Sequence, residues 1–487
     1  MTGSRPHTSL LAVVLAVGAA ACDDPAPATD AGVDADPDPD RTAALALLGV
    51  PCTDAVDAVY QGRPPPAPWT AAARGTIAAC AYDRTVSAAE MRAHYTTEGF
   101  PEVAITTDAY KFRVAYWTER DATTPLLTSA ALYVPVTRRG APSPLVVAGH
   151  GSVGVGDACA PSREDPQGFT KDADALFYML AGDGWVVMAP DYPGIGTPGV
   201  GTWQLAVDEG HAMLDGTRAA RRLLRGGLLS TRNALVGHSN GGHAALAAQA
   251  YAHDYGSDGT IEAAVVFAPL WLSNAAWAAL MTDTGALLLT PAFMAMSLMY
   301  LDGHLEVLDG AAGVTAAYAP GKAAVVRDYL EHHCWRDLTS MTAGPASIGI
   351  TTGRDAFATL IADEVGNCAL SGECTTAAGM LWRARFAADR PPPDPAIPIV
   401  LWQGTDDTFL PASYQQCGVD RLTAGGADLT ACEGPGSHAG VIATSAAYTR
   451  AYLAARLLGG TPPAPCTTFT PTTCAVPIPN GPLPTDP

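Results

Sequence analysis

The chain has 487 residues, 48% of them apolar and 16% charged, enough to bury a sizeable core in one large domain with an insertion or in two domains. Its net charge of −20 excludes the basic faces that nucleic acids select. Seven aspartates within residues 23–40 carry part of that charge and leave −13 for the remainder, an ordinary value for an acidic soluble protein.

Arg5 precedes twelve apolar residues, "LLAVVLAVGAAA" (10–21), a run too short to span a bilayer and suited to the core of a signal peptide. It ends at Ala19-Ala20-Ala21-Cys22, which resembles a bacterial lipobox except that Ala19 stands where Leu is usual. Cleavage before Cys22 would present a thiol for lipidation; ordinary A-x-A cleavage would leave no lipid. Residues 1–22 therefore read as a signal peptide, and the protein as exported, either a cell-envelope lipoprotein (periplasmic or outer-surface) or secreted. The Asp/Pro/Ala-rich stretch 23–41 reads as a solvated tether. Without Cys22, ten cysteines remain, an even number that suits disulfides in an exported chain. Cys368–Cys374, Cys417–Cys432 and Cys466–Cys474 would close short loops, and Cys52–Cys80 is a further pairing, although spacing alone does not fix connectivity. No CxxC, HExxH or EF-hand spacing occurs, so no metal or other cofactor is expected.

Residues 42–100 are mixed, with Ser87-Ala-Ala-Glu90 forming a capping box that opens a short helix. Beyond them, strand-like and helix-like segments alternate. Residues 126–136, 144–151, 184–192, 233–239, 261–269 and 397–404 read as strands; 171–182, 203–226, 241–254 and the closing stretch 440–458 read as helices. Continuous apolar strands separated by helices imply an α/β architecture, a mostly parallel sheet covered on both faces. The core then comprises 42–270 and 391–459, with its N-terminal extension. The segment 271–390 interrupts the alternation and reads as a helical cap; "LLLTPAFMAMSLMYL" (287–301) within it is too short for a membrane span and contains Pro291. The Pro/Thr-rich residues 460–487 read as a surface tail stapled by one disulfide.

In "NALVGHSNGGHAAL" (233–246), Gly237-x-Ser239-x-Gly241 falls between a predicted strand and a predicted helix, and the pattern occurs once in the chain. A sharp strand-to-helix turn forces its central residue into a strained conformation and exposes the side chain at the carboxyl end of the sheet. The Asn240 amide then lies at a helix N-terminus, where partial positive charge favours an oxyanion. A serine nucleophile needs a base, and the base needs an orienting carboxylate. With the chain order serine, acid, histidine, His438 in "EGPGSHAGV" is the single candidate base after His333. "QGTDDTFLP" supplies Asp407 as the orienting acid, with Asp406 as the alternate. The loop 146–162, "VVAGHGSVGVGDACAPS", supplies the second oxyanion donor, the amide of Ser152 with Gly151 next. His150 precedes the serine and reads as structural.

His150-Gly151-Ser152, "DACAPS", "DYPGIGTPG" (191–199) and "GHSNGGHAAL", taken with the later Asp and His and the large insertion before the acid, resemble α/β-hydrolases of the secretory lipase family, in its bacterial branch. The similarity runs from about 110 to 458. It implies a serine carboxylic-ester hydrolase whose helical cap covers an acyl-chain pocket. Ser239 would be nucleophile, Asp407 orienter and His438 base, with lipid or ester small molecules as substrates. Asp191 and Tyr192 match the family's "DY" loop beside the site. Asp191 and Tyr192 read as structural, since a buried Asp near turns satisfies backbone donors, while Gly151, Tyr192 and Trp271 are also the candidates for the substrate side. Asn240 departs from the Gln or Gly expected at its position. Two other readings stay open: a serine peptidase on the same fold, and a catalytically inactive surface binding module.

Overall fold

The computed structural model describes residues 39–163, 171–272, 291–361 and 376–474. The signal peptide with Cys22, most of the acidic tether, the Cys368 and Cys374 pair and residues 475–487 lie outside them.

Nine strands form one sheet in the order β1-β2-β3-β5-β4-β6-β7-β8-β9. β1 (Ile77–Val86), β2 (Ala109–Asp121) and β3 (Thr124–Pro135) pair antiparallel, and β3 also runs antiparallel to β5 (Val186–Pro190). From β5 onward the sheet is parallel through β4 (Ser143–Gly149), β6 (Leu229–His238), β7 (Thr260–Phe267), β8 (Ile399–Gly404) and β9 (Leu429–Gly434). Alternation along β4 shows why its sequence is continuously apolar. Leu145 and Val147 enter one core while Val146 and Ala148 enter the other. The first core is closed by α4 (Ala206–Leu223) and α5 (Asn240–Tyr251). The second is closed by α3 (Lys171–Gly182) and α13 (Ala446–Leu458). This two-faced, mostly parallel sheet is an α/β-hydrolase fold.

Two further helices lie ahead of these: α1 (Pro39–Leu45) and α2 (Ala88–Thr97), the latter capped as expected by Ser87, whose hydroxyl accepts from the Glu90 amide at 3.1 Å. Between β7 and β8 the described residues hold helices and no strand: α6 (Pro291–Ala317), α7 (Lys322–His332), α8 (Trp335–Leu338), α9 (Gly353–Ile361) and α10 (Ala377–Ala388). They bury a third core in which Phe293–Leu305 of α6 packs against Trp203, Leu270, Trp382 and Phe386. No helix among the described residues is long and apolar enough to cross a membrane. After β8 come α11 (Ala412–Ala424) and, ahead of α13, α12 (Gly440–Thr444). The closing helix expected as one piece is thus two, broken at Ser445.

The cysteine pairing differs from the short-loop expectation. Cys52–Cys80 forms, but Cys417 pairs with Cys474 and Cys432 with Cys466, in place of Cys417–Cys432 and Cys466–Cys474. The tail therefore carries two disulfides rather than one. It lies along the edge strand: the Glu433 amide donates to Thr467, the Phe469 amide donates to Ala431, and Phe469 is buried. Covering that edge satisfies groups which would otherwise template aggregation. A fourth bond, Cys159–Cys334, joins the loop after β4 to the helical insertion.

Candidate active site

β6 ends in the core at His238, and α5 begins at Asn240, so the chain reverses within one residue. Ser239 takes the strain, with φ 55° and ψ −116°, a conformation rare for any residue with a side chain. The flanking glycines are demanded by crowding. A methyl at 237 would overlap the carbonyl of Gly241, and one at 241 would overlap the carbonyl of Gly149 at the end of β4. The turn thus brings the β4 loop against the first turn of α5, whose leading N–H groups have no intrahelical partner.

Asp407 follows β8 and is buried. One oxygen accepts from the amides of Phe409 (3.0 Å) and Leu410 (2.7 Å), and the other faces His438 Nδ1 at 2.8 Å. The alternate, Asp406, accepts instead from the Gly436 amide at 3.3 Å and shapes the loop that carries His438. With Nδ1 turned to Asp407, His438 presents Nε2 buried and without a hydrogen-bond partner. Its ring and Ser239 line the same cavity, of about 640 Å³, together with Gly151, Ser152, Val153 and Phe409. A carboxylate behind one imidazole nitrogen fixes the tautomer and leaves the other nitrogen as a base.

His238 also lines this cavity. Its Nε2–H donates to the carbonyl of His438 at 3.0 Å, and the two rings lie 4.8 Å apart. Burial, reinforced by the neighbouring His438, pushes its pKa well below the ordinary histidine value, so it remains neutral.

Other expected residues divide. Ser152 and Gly151 line the cavity, and Asn240 sits at the first position of α5. His150 is structural: its ring nitrogens meet the carbonyls of Gly151 (2.7 Å) and Asp191 (3.3 Å). The Asp191 carboxylate is fully buried and takes the Ser162 amide at 2.8 Å and the Ser129 hydroxyl at 2.6 Å, as its structural reading requires. Tyr192 and Trp271 do not line the cavity. Tyr192 is wholly buried at φ 72°, its ring tilted by 33° against that of His150, and donates its hydroxyl to the His150 carbonyl at 3.3 Å. Trp271 is buried against the ring of His243, which turns it into the core behind α5. Sequence reasoning missed Glu98, Asp172, Trp335, Arg336 and Thr339, all of which line the cavity. Nothing in their local sequence marks them, because it is the fold that brings α2, α3 and α8 to one rim. Among the described residues no group of three or more His, Cys, Asp or Glu is placed to hold a metal ion.

The profile of the secretory lipase family matches residues 164–271. No curated protein sequence matches the chain. Among solved structures, the chain is similar to lipase A of Candida antarctica, at 17% identity and a TM-score of 0.58, covering 84% of this chain and 87% of that one. It is also similar to the rice cell wall degrading esterase LipA of Xanthomonas oryzae, at 18% identity and a TM-score of 0.57, covering 80% of this chain and 99% of that one. The resemblance read from the motifs is borne out by the profile, and the likeness to these structures shows the α/β-hydrolase fold.

Proposed function

We propose, from the premise that the chain is a carboxylic-ester hydrolase resembling the secretory lipases, that it is an exported enzyme acting through an acyl-enzyme on Ser239. His438 Nε2 takes the serine proton as the hydroxyl attacks the ester carbonyl. Asp407 holds the ring in the required tautomer and stabilises the imidazolium that forms. The amides of Asn240 and Ser152 receive the oxyanion, and the imidazolium then protonates the leaving alcohol. Water activated by the same ring clears the acyl group. The observation that carries this reading is the histidine backed at 2.8 Å by Asp407, its free nitrogen in the cavity shared with a serine strained outward at the β6–α5 turn.

Val153, Ala173, Trp335 and Phe409 give the cavity an apolar wall suited to a medium or long acyl chain. Helices α6–α10 act as the cap. The four disulfides among the described residues suit an oxidising compartment, and Cys22 would carry the lipid anchor if the lipobox is used. One observation favours a peptidase instead: the Glu98 and Asp172 carboxylates line the cavity, as binding of a substrate amine requires. Arg336 shares that wall and offsets them. Matched ester and amide substrates separate the two. Ser239→Ala tests both: hydrolysis of p-nitrophenyl esters is expected to drop to ~10³–10⁴-fold above water, the residue left by binding and the oxyanion hole, and near-native turnover sinks the proposal.

A further inference from the structure

The two oxyanion donors proposed above stand on different loops, yet one dipeptide grips both. The indole Nε1–H of Trp203 donates to Ser152 Oγ at 3.0 Å. The next residue, Gln204, donates through Nε2 to Asn240 Oδ1 at 2.7 Å. Asn240 Nδ2 in turn donates to Glu209 Oε1 at 3.0 Å, and the same oxygen accepts the backbone N–H of Gln204 at 2.9 Å. The other Glu209 oxygen meets His243 Nδ1 at 2.7 Å, three residues into α5 from Asn240. Gln204, Glu209 and His243 are wholly buried and Trp203 nearly so.

Two further features mark Gln204. It stands at φ 63°, in the region that disfavours side chains, as does Ser239 itself. Its Oε1 is buried without a partner, so the donor half of the amide is the half the structure uses. Backbone strain and an orphaned carbonyl both oppose folding, and they persist where neighbouring groups over-determine the geometry.

We propose that Trp203 and Gln204 are positioning residues of the oxyanion hole: adjacent side chains reaching opposite ways that fix the spacing between the Ser152 and Asn240 amides. The inference rests on the acyl-enzyme reading above. Neither residue lines the cavity, so neither touches substrate. Backbone donors cannot be deleted by substitution, but loosening their grips displaces them. Displacement affects the tetrahedral state, which needs both donors, more than the ground-state ester.

The experiment compares Gln204→Met and Trp203→Phe with wild type in kcat and KM for a p-nitrophenyl ester. It adds the inhibition constant of an aryl trifluoromethyl ketone, which forms a tetrahedral adduct with a reactive serine, and Tm. Leu235→Ala, a buried β6 position away from the grips, serves as the stability control. The expected result is kcat lower by ~10–10²-fold, KM within about twofold, and ketone affinity weakened by the same factor as kcat/KM. Leu235→Ala is expected to lower Tm without weakening the ketone relative to KM. Folded Gln204→Met or Trp203→Phe enzymes that match wild type in kcat and ketone affinity overturn the proposal, as does a ketone loss that merely tracks Tm across all three variants. A wild type that neither hydrolyses the ester nor binds the ketone overturns the acyl-enzyme reading itself, so the two failures are distinct.

Discussion

Gly241→Ala perturbs the site without touching a reactive group. The added methyl would meet the carbonyl of Gly149, its adjoining carbon and the amide of His150, all rigid backbone. Real Cβ atoms essentially never come within 3.0 Å of another heavy atom, and this one would begin about 1 Å inside that limit, so the start of α5 and the end of β4 must part by about that distance. Those two segments carry the proposed oxyanion donors and the serine. A misplacement of ~1 Å in a reacting constellation costs on the order of 10²-fold in rate. The expected outcome is kcat for ester hydrolysis lower by ~10²-fold, with a stability loss of ~1–3 kcal/mol from overpacking. The assay is steady-state hydrolysis alongside urea denaturation. Gly226→Ala, at a glycine with open space around it, is the control and should match wild type. A Gly241→Ala enzyme with native kcat would refute the claim that this backbone contact sets the site.

Asp407→Asn should lower kcat by ~10⁴-fold through the wrong imidazole tautomer, whereas Asp406→Asn should keep kcat within a few-fold; equal losses, measured with one ester, would refute the assignment of the acid. His211 gives a pH prediction. Burial lowers its pKa from the ordinary value of 6.5 to about 4, beneath the stacked ring of Tyr255 and with Nδ1 held to the Glu119 carbonyl. As pH falls from 6.5 to 4 the unfolded chain takes up a proton that the folded chain refuses, so stability declines by about 3 kcal/mol from this group alone. His211→Gln should lose correspondingly less over that window in urea titrations, and parallel pH curves for the two proteins would count against it.

The strands β3–β8 and helices α3–α5 were legible because each is a long apolar or amphipathic run bounded by turn residues. The N-terminal antiparallel half was not. β2 carries Lys111 and Arg113, which look like solvent positions, yet both are buried against Asp83 of β1, at 3.3 and 2.9 Å. A charge neutralised by a partner nearly thirty residues away leaves no local signature. The Cys417–Cys432 and Cys466–Cys474 pairings failed for a related reason, though Cys52–Cys80 held: Cys432 and Cys466 meet because the tail covers the sheet edge, not because they are near in sequence. The elbow and the chain order single out Ser239, Asp407 and His438, and the fold brings Asp407 onto His438 and His438 to the cavity that Ser239 lines. A motif beside a site does not say which way a side chain turns, and Tyr192 is buried against His150, in line with its structural reading. The cavity wall from α8 was invisible, being assembled from an insertion without a motif. The loop-to-insertion disulfide and the bond from the Trp335 amide to the Val153 carbonyl, at 2.9 Å, place it there.

The most direct measurement is the site of covalent modification by a fluorophosphonate, mapped by mass spectrometry on the intact, disulfide-bonded protein. The account predicts a single adduct on Ser239, formed far more slowly once His438 is replaced by alanine. An adduct on a different residue, or an enzyme that hydrolyses esters yet leaves Ser239 unmodified, would contradict it.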